Sequence, residues 1–313
     1  MIVPLPPTSA VAFVDAQHGW VGDQVGLFAT TDGRHFRIVA RMPIIDVGAL
    51  DRTHAWALSG TGSVLRTTDG RRWQVLSAPR LFTVEFVDAR NGFGLTRDGV
   101  VVRSTDGGQT WPQLRTPGLM QAQCFSSTRD GWVARTHNVW TTHNGGASWT
   151  RRRFGTGVAG SPMSPMLECR GRSVWALFAD GVAAGSQGYE VFRSLDGGRS
   201  WRVVLAGLVR NRLPRINAYP GPFVVLGGAR AIFEGTCGAC VFGHGTVNFV
   251  RTVDGGRTFA RATPYIRSFF GGPISFLDLR RGWLFTQLFR SKKHTLLFTR
   301  DGGTHWWQVA TLP

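Results

Sequence analysis

Residues Arg193–Trp201 read RSLDGGRSW, and versions of this stretch occur seven times along the 313-residue chain. The others are ATTDGRHF (Ala29–Phe36), RTTDGRRW (Arg66–Trp73), RSTDGGQTW (Arg103–Trp111), TTHNGGASW (Thr141–Trp149), RTVDGGRTF (Arg251–Phe259) and FTRDGGTHW (Phe298–Trp306). In each, a hydroxyl stands two residues before Asp32, Asp69, Asp106, Asn144, Asp196, Asp254 or Asp301, and an aromatic follows four or five residues later. Repetition at this period signals a solenoid or a propeller. Seven equivalent aspartates cannot all be one active site, so the repeat is read as structure.

The local chemistry agrees. Asp or Asn followed by Gly, between short alternating apolar runs, is a hairpin turn signal. The carboxylate accepts from backbone N–H groups ahead of it, and Gly supplies the positive φ of the turn. The aromatic then folds back under the turn, where its burial stabilises by about 1.5–3 kcal/mol.

A second pattern precedes each turn. It reads VAFVDAQHGWVG (Val11–Gly22), GALDRTHAWAL (Gly48–Leu58), EFVDARNGFGL (Glu85–Leu95), CFSSTRDGWVA (Cys124–Ala134) and SFLDLRRGWLF (Ser275–Phe285). LECRGRSVWAL (Leu167–Leu177) and NAYPGPFVVLG (Asn217–Gly227) keep the outline of strand, tight turn and second strand. Each repeat thus holds strands A to D, which in the first are Val11–Val14, Trp20–Gly22, Gly26–Thr30 and Phe36–Val39. Seven units of four antiparallel strands predict an all-β, seven-bladed β-propeller, one domain over residues 1–313. The blades are expected near 8–40, 44–77, 81–115, 120–153, 165–206, 214–262 and 272–311. Each blade is continuous in sequence, and blade 7 is expected to pack on blade 1 without a swapped strand, although Ile2–Pro7 could cross that seam.

These motifs resemble the Asp-box, or bacterial neuraminidase repeat, of sialidases, sortilin and the photosystem II assembly-factor family. The resemblance extends over nearly the whole chain and implies the fold; the box decorates enzymes, receptors and assembly factors alike. A sialidase-like glycosidase would need an arginine triad, a Tyr–Glu pair and an acid. Phe36-Arg37-Ile38 departs from that family's Arg-Ile-Pro motif, with Val39 in place of Pro. Tyr189 and Glu190 are adjacent, so on a strand they point to opposite faces. Most acids lie in turns, leaving Asp180, Glu190 and Glu234 for paired-carboxylate chemistry. No catalytic residue is assigned, and a glycoside hydrolase is the alternative to a non-enzymatic scaffold.

The repeats are unequal. Spacing through Asp32, Asp69, Asp106 and Asn144 is 37, 37 and 38 residues, then 52, 58 and 47 through Asp196, Asp254 and Asp301. The extra residues fall in D–A connections (151–165, 206–214 and 261–273) and in B–C connections (179–189, 228–246 and 289–294). Both kinds lie at the end of the blade opposite the Asp turns. Binding residues concentrate in loops on rigid scaffolds, so this insertion face over blades 5–7 is the expected site.

Net charge is +17, with Lys292 and Lys293 the only lysines. Such charge suits a polyanion partner, yet Arg66, Arg103, Arg193 and Arg251 recur three residues before the turn Asp, which assigns them to the scaffold. Nucleic acid is therefore possible and not favoured. The insertions carry Arg151, Arg152, Arg153, Arg210, Arg212, Arg215, Tyr265, Arg267, Lys292 and Lys293. Of these, Arg210, Arg212, Arg215, Tyr265, Arg267, Lys292 and Lys293 form the predicted contact set for a protein, acidic peptide or anionic glycan, since Arg suits planar recognition of carboxylate.

Cys237-Gly-Ala-Cys240, with His244 nearby, lacks the further ligands of a zinc site. A loop disulfide, free thiols and a metal are the three readings, the first preferred; Cys124 and Cys169 could bridge or stay as buried thiols. No metal or cofactor is expected. The chain is expected to be a monomer with no membrane span, because no apolar run approaches about 20 residues. The N-terminus has no signal-peptide pattern. The resemblance implies export, with a leader outside this sequence, and a cytoplasmic location stays open.

Overall fold

The computed structural model describes residues 9–155, 163–183, 186–207, 213–237, 247–268, 271–291 and 293–313. Their strands form seven antiparallel sheets, each from consecutive strands, and the fold is an all-β seven-bladed propeller. Blade 1 holds β1 (Ala10–Phe13), β2 (Gly19–Gly22), β3 (Leu27–Thr30) and β4 (Arg37–Ala40), and blade 2 holds β5 (Ile44–Ala49), β6 (Ala55–Ser59), β7 (Val64–Thr67) and β8 (Gln74–Leu76). Blade 3 has β9 (Leu81–Phe86), β10 (Gly92–Thr96) and β11 (Val101–Ser104). Blade 4 has β12 (Ala122–Phe125), β13 (Gly131–Arg135), β14 (Asn138–Thr142) and β15 (Thr150–Arg153). Blade 5 comprises β16 (Met166–Arg170), β17 (Ser173–Ala183), β18 (Ser186–Ser194) and β19 (Arg202–Gly207). Blade 6 comprises β20 (Tyr219–Gly227), β21 (Arg230–Thr236), β22 (Val247–Thr252) and β23 (Ala260–Ala262). Blade 7 comprises β24 (Ile274–Phe276), β25 (Gly282–Gln287), β26 (His294–Thr299) and β27 (Trp307–Leu312).

Three details differ from expectation. The fourth strand of blade 3 shrinks to a bridge between Val102 and Gln113. Pro112 accepts from the Arg103 N–H at 2.9 Å but has no N–H to return. In blade 5 the 179–189 insertion is not a loop: β17 and β18 run on as a hairpin, pairing as far as Ala183 and Ser186. In blade 6 the NAYPGPFVVLG stretch is not two strands about a turn. Tyr219–Gly227 is one bulged strand, the A–B turn follows at Gly228–Ala229, and β21 occupies part of the presumed B–C insertion. Pro220 and Pro222 are tolerated there because β20 is the edge of its sheet. Blade 7 uses only its own strands; Ile2–Pro7 lie outside the described residues.

The chain divides into two compact units, residues 1–133 with 142–150, and residues 134–141 with 151–313. Within each, the core is the set of layers between consecutive sheets. Trp20, Leu27, Ile44, Val47 and Leu65 fill the first layer, and Trp56, Leu58, Val84, Phe86 and Val102 the next. In the second unit Trp175, Tyr189, Leu205, Phe223 and Phe233 pack between blades 5 and 6. Phe249, Ile266, Phe276, Leu284 and Leu297 pack between blades 6 and 7. A packing rule explains the Gly before the second-strand aromatic. The ring of Phe13 lies where a Cβ on Gly19 would be, and Phe125 over Gly131 and Phe276 over Gly282 repeat the arrangement.

Candidate functional site at the loop end of blades 5 to 7

The end of the blades that carries the Asp turns is fully engaged in holding itself together. Ser194 Oγ donates to Asp196 at 2.7 Å and accepts from Gly198 N–H at 2.8 Å, while Asp196 accepts from Ser200 N–H and Oγ at 2.9 and 2.6 Å. Trp201 Nε1 donates to Gly198 O at 2.9 Å, which fixes the aromatic under the turn. Equivalent bonds surround Asp106 and Asp254. Hydroxyl and backbone donors, led by Thr110 and Thr258, hold both carboxyls well below the usual carboxylate range. Six of the turns also donate a Gly N–H to their own A–B turn, as Gly197 does to Arg172 O at 2.9 Å.

Three of the four recurrent arginines reach carbonyls of the next blade, while Arg103 donates to Asn91 Oδ1 within its own blade at 3.4 Å. Arg193 Nε donates to Gly255 O at 2.6 Å, and one Arg251 nitrogen donates to Asp301 O and Gly302 O at 2.9 and 2.6 Å. Arg66 does the same to Gly107 O at 2.9 Å and to Ala89 O. These three guanidinium groups are clasps between blades.

The opposite end of the blades gathers the B–C and D–A connections. Phe289 N–H donates to Arg267 O at 2.9 Å, Gln187 N–H to Ala218 O at 2.9 Å, and Ala206 N–H to Pro214 O at 3.2 Å. Beyond β23, the D–A segment 263–268 alternates exposed and buried residues like a strand, although among the described residues no strand pairs with it. Pro264 and Ile266 turn into the core while Tyr265 and Arg267 turn out, Tyr265 being 67% exposed.

That segment walls a groove of about 560 Å³ on blade 7, lined also by Leu288 and Phe289 from the loop end, by Leu297, by Thr304, His305 and Trp306 of the Asp301 turn at the other end, and by Trp307. Arg267 lies over the Tyr265 ring at 5.1 Å, and Arg290 over the Phe289 ring at 5.5 Å. Arg290 holds φ at 65° in the Leu288–Ser291 turn, a conformation that favours glycine.

A second recess, about 330 Å³, lies beside blades 5 and 6 and is lined by Ser186, Gln187, Gly207, Arg215, Asn217, Ala218 and Arg261. Arg261 is committed to carbonyls, donating to Ile216 O at 2.8 Å and to Arg215 O. The exposed Arg215 guanidinium is the cation this recess offers to a ligand.

The acids left for hydrolytic chemistry are buried. Asp180 is 1% exposed and 3.6 Å from His137, and Glu190 and Glu234 are fully buried. Tyr189 lies in the core, where burial raises its pKa; its hydroxyl accepts from Ile216 N–H at 2.7 Å and donates to Asn217 O. Glu234 stands in β21 instead of the loop predicted for it. Burial pushes its pKa up to about 8, only partly offset by the Gly272 N–H at 3.5 Å. Among the described residues its Oε1 has no partner, and a Cβ on Gly271 would run into it. Among the described residues no three His, Cys, Asp or Glu are placed to share a metal.

The predicted contact residues divide. Tyr265 and Arg267 meet at the groove, with Lys293 exposed in the adjoining connection. Arg215 lies at the separate recess. Arg151, Arg152 and Arg153 belong to the exposed strand β15. Arg210, Arg212 and Lys292 lie outside the described residues, as does Cys240; Cys124, Cys169 and Cys237 are disulfide-bonded. Sequence reasoning missed Phe289 and Arg290, although their place in a lengthened B–C connection was a usable signal. It could not have found Ile266, whose burial depends on the blade after it.

No family model matches the chain, and no curated protein matches its sequence. Its fold is similar to three solved structures. One is YCF48 bound to a D1 peptide, with TM-score 0.58 and 16% identity, covering 96% of this chain and 93% of that one. YCF48 from Cyanidioschyzon merolae gives TM-score 0.59 and 15% identity, covering 96% and 95%. A GH74 xyloglucanase from Xanthomonas campestris gives TM-score 0.66 and 15% identity, covering 96% of this chain but 54% of the enzyme. At these identities the likeness is one of fold, shared by a peptide-bound protein and a glycoside hydrolase.

Proposed function

We propose that this protein is a non-enzymatic binding scaffold of the Asp-box type that receives a protein or other anionic partner at the loop end of blades 5–7. The observation that carries the reading is the contrast between the two ends. At the turn end Arg66, Arg193 and Arg251 are committed to carbonyls of the next blade, whereas at the loop end Arg215, Arg267 and Arg290 rim open recesses and pair with no carboxylate among the described residues. A similar fold with a peptide bound supports the same reading. Three disulfide-bonded cysteines suit an oxidising, extracytoplasmic compartment.

The test is retention of a partner by wild-type protein and by an Arg210/Arg212/Arg215→Ala variant. The partner is expected to be lost with the triple change, at a salt concentration where a sulfated glycan no longer competes. If neither the triple change nor Arg267→Ala/Arg290→Ala affects any interaction, the face is wrong. Turnover of an aryl glycoside panel that disappears on Glu190→Gln or Glu234→Gln would establish the hydrolase instead.

A further inference from the structure

The blade 7 groove has the properties of a site with a definite ligand class. Its walls contain no carboxylate: of the eleven lining residues, Pro264, Ile266, Leu288 and Leu297 are aliphatic and Tyr265, Phe289, Trp306 and Trp307 aromatic. Two exposed guanidinium groups stand at the loop side of the rim, Arg267 directly and Arg290 through the ring it covers, and a third, Arg300, covers the Trp307 ring at 4.8 Å. The bond from Phe289 N–H to Arg267 O holds the first two ring–cation pairs side by side. A volume of about 560 Å³ falls within the range of about 300–1,000 Å³ typical of ligand pockets.

We infer that this groove binds an acidic peptide segment, seating an apolar side chain on the aromatic floor and placing flanking carboxylates on Arg267 and Arg290. The inference rests on the scaffold reading and specifies its partner. Three features select this occupant. Guanidinium groups match carboxylates in plane and charge. The apolar floor has few polar groups for the hydroxyls of a glycan: Thr304 is short, and the Nδ1 of His305 is already held by Asp301 at 2.6 Å. A uniformly charged polymer, for its part, would leave the aromatic floor uncovered, whereas an apolar anchor between acids covers floor and rim together. Arg290 adds a point of its own: arginine occupies a left-handed turn position that glycine would fill at lower cost.

Fluorescence anisotropy tests this with fluorescein-labelled Glu-Glu-Leu-Pro-Leu-Glu-Glu and its version with every Glu replaced by Gln. Wild-type protein is expected to bind the first at least tenfold more tightly than the second. Tyr265→Ala and the pair Arg267→Ala/Arg290→Ala are each expected to weaken binding about tenfold with an unchanged thermal midpoint, while Arg215→Ala binds as wild type. Equal binding of both peptides, full affinity in the groove variants, or no binding by wild type at about 1 mM overturns the assignment. Loss on Arg215→Ala alone would move the peptide to the other recess and leave the scaffold reading standing. Partner retention by the Arg210/Arg212/Arg215→Ala variant would remove the blade 5–6 recess from the scaffold's contact surface without touching this measurement.

Discussion

Glu234 sits where a carboxylate is disfavoured, in the second strand of blade 6, with Oε1 unpaired among the described residues and glycines on two sides. Its pKa stands near 8 against an ordinary 4.5 because burial disfavours the charge. The folded protein therefore holds a proton that the unfolded chain has released above pH 4.5. Its contribution to stability falls as pH rises through that window and levels off above about 8. Glu234→Gln keeps the shape and removes the titration. Its thermal midpoint relative to wild type is expected to rise by several degrees between pH 5 and pH 8.5, at about 2–4 °C per kcal/mol. A difference that does not change with pH would contradict this account. The same residue shows what a linear reading misses. The carboxyl's surroundings depend on Gly271 and on the Gly272 N–H, 37 and 38 residues farther along, and no local pattern near position 234 announces them.

Between elements, the arginine clasps are the contacts to test. Arg251 serves two carbonyls of the following turn, so Arg251→Ala is expected to cost about 1.5–3 kcal/mol, the range for hydrogen bonds from charged groups. Arg251→Lys should recover less than half, since an ammonium lacks the guanidinium's fixed spread of donors. A midpoint unchanged in Arg251→Ala would show that the clasp contributes nothing. Elements were legible in proportion to how locally they are specified. The turns at Asp32 to Asp301 were readable because hydroxyl, acid, glycine and aromatic all lie within eight residues of sequence. The first strand of blade 6 was misread because Pro220-Gly221-Pro222 has the chemistry of a turn, and only its place at a sheet edge lets the segment run straight on as a bulged strand. The groove was half legible: Tyr265 and Arg267 stood out in a lengthened connection, but the floor they face comes from another blade.

At the scale of the whole chain, eleven turn carboxylates share one electrostatic condition. Asp15, Asp32, Asp51, Asp69, Asp88, Asp106, Asp130, Asp196, Asp254, Asp278 and Asp301 all have lowered pKa values. A depressed carboxylate contributes stability that is complete above its unfolded value, about 3.9, and is lost as pH falls through its folded value. The thermal midpoint is therefore expected to drop steeply between about pH 4 and pH 2. The drop should persist in 0.5 M salt, because it comes from protonated turns as well as from the repulsion of a chain already at +17. A midpoint at pH 2.5 equal to that at pH 5 would refute it. The clasps carry a different consequence. Arg66, Arg193 and Arg251 grip peptide carbonyls of the neighbouring turn, an atom that every residue possesses. The grip therefore asks of the neighbour only its turn glycine, since a Cβ on Gly107 or Gly302 would run into the guanidinium of Arg66 or Arg251. A blade can be duplicated, exchanged with another or allowed to drift in composition while its neighbour still holds it, which makes the blade the natural unit of inheritance in this chain.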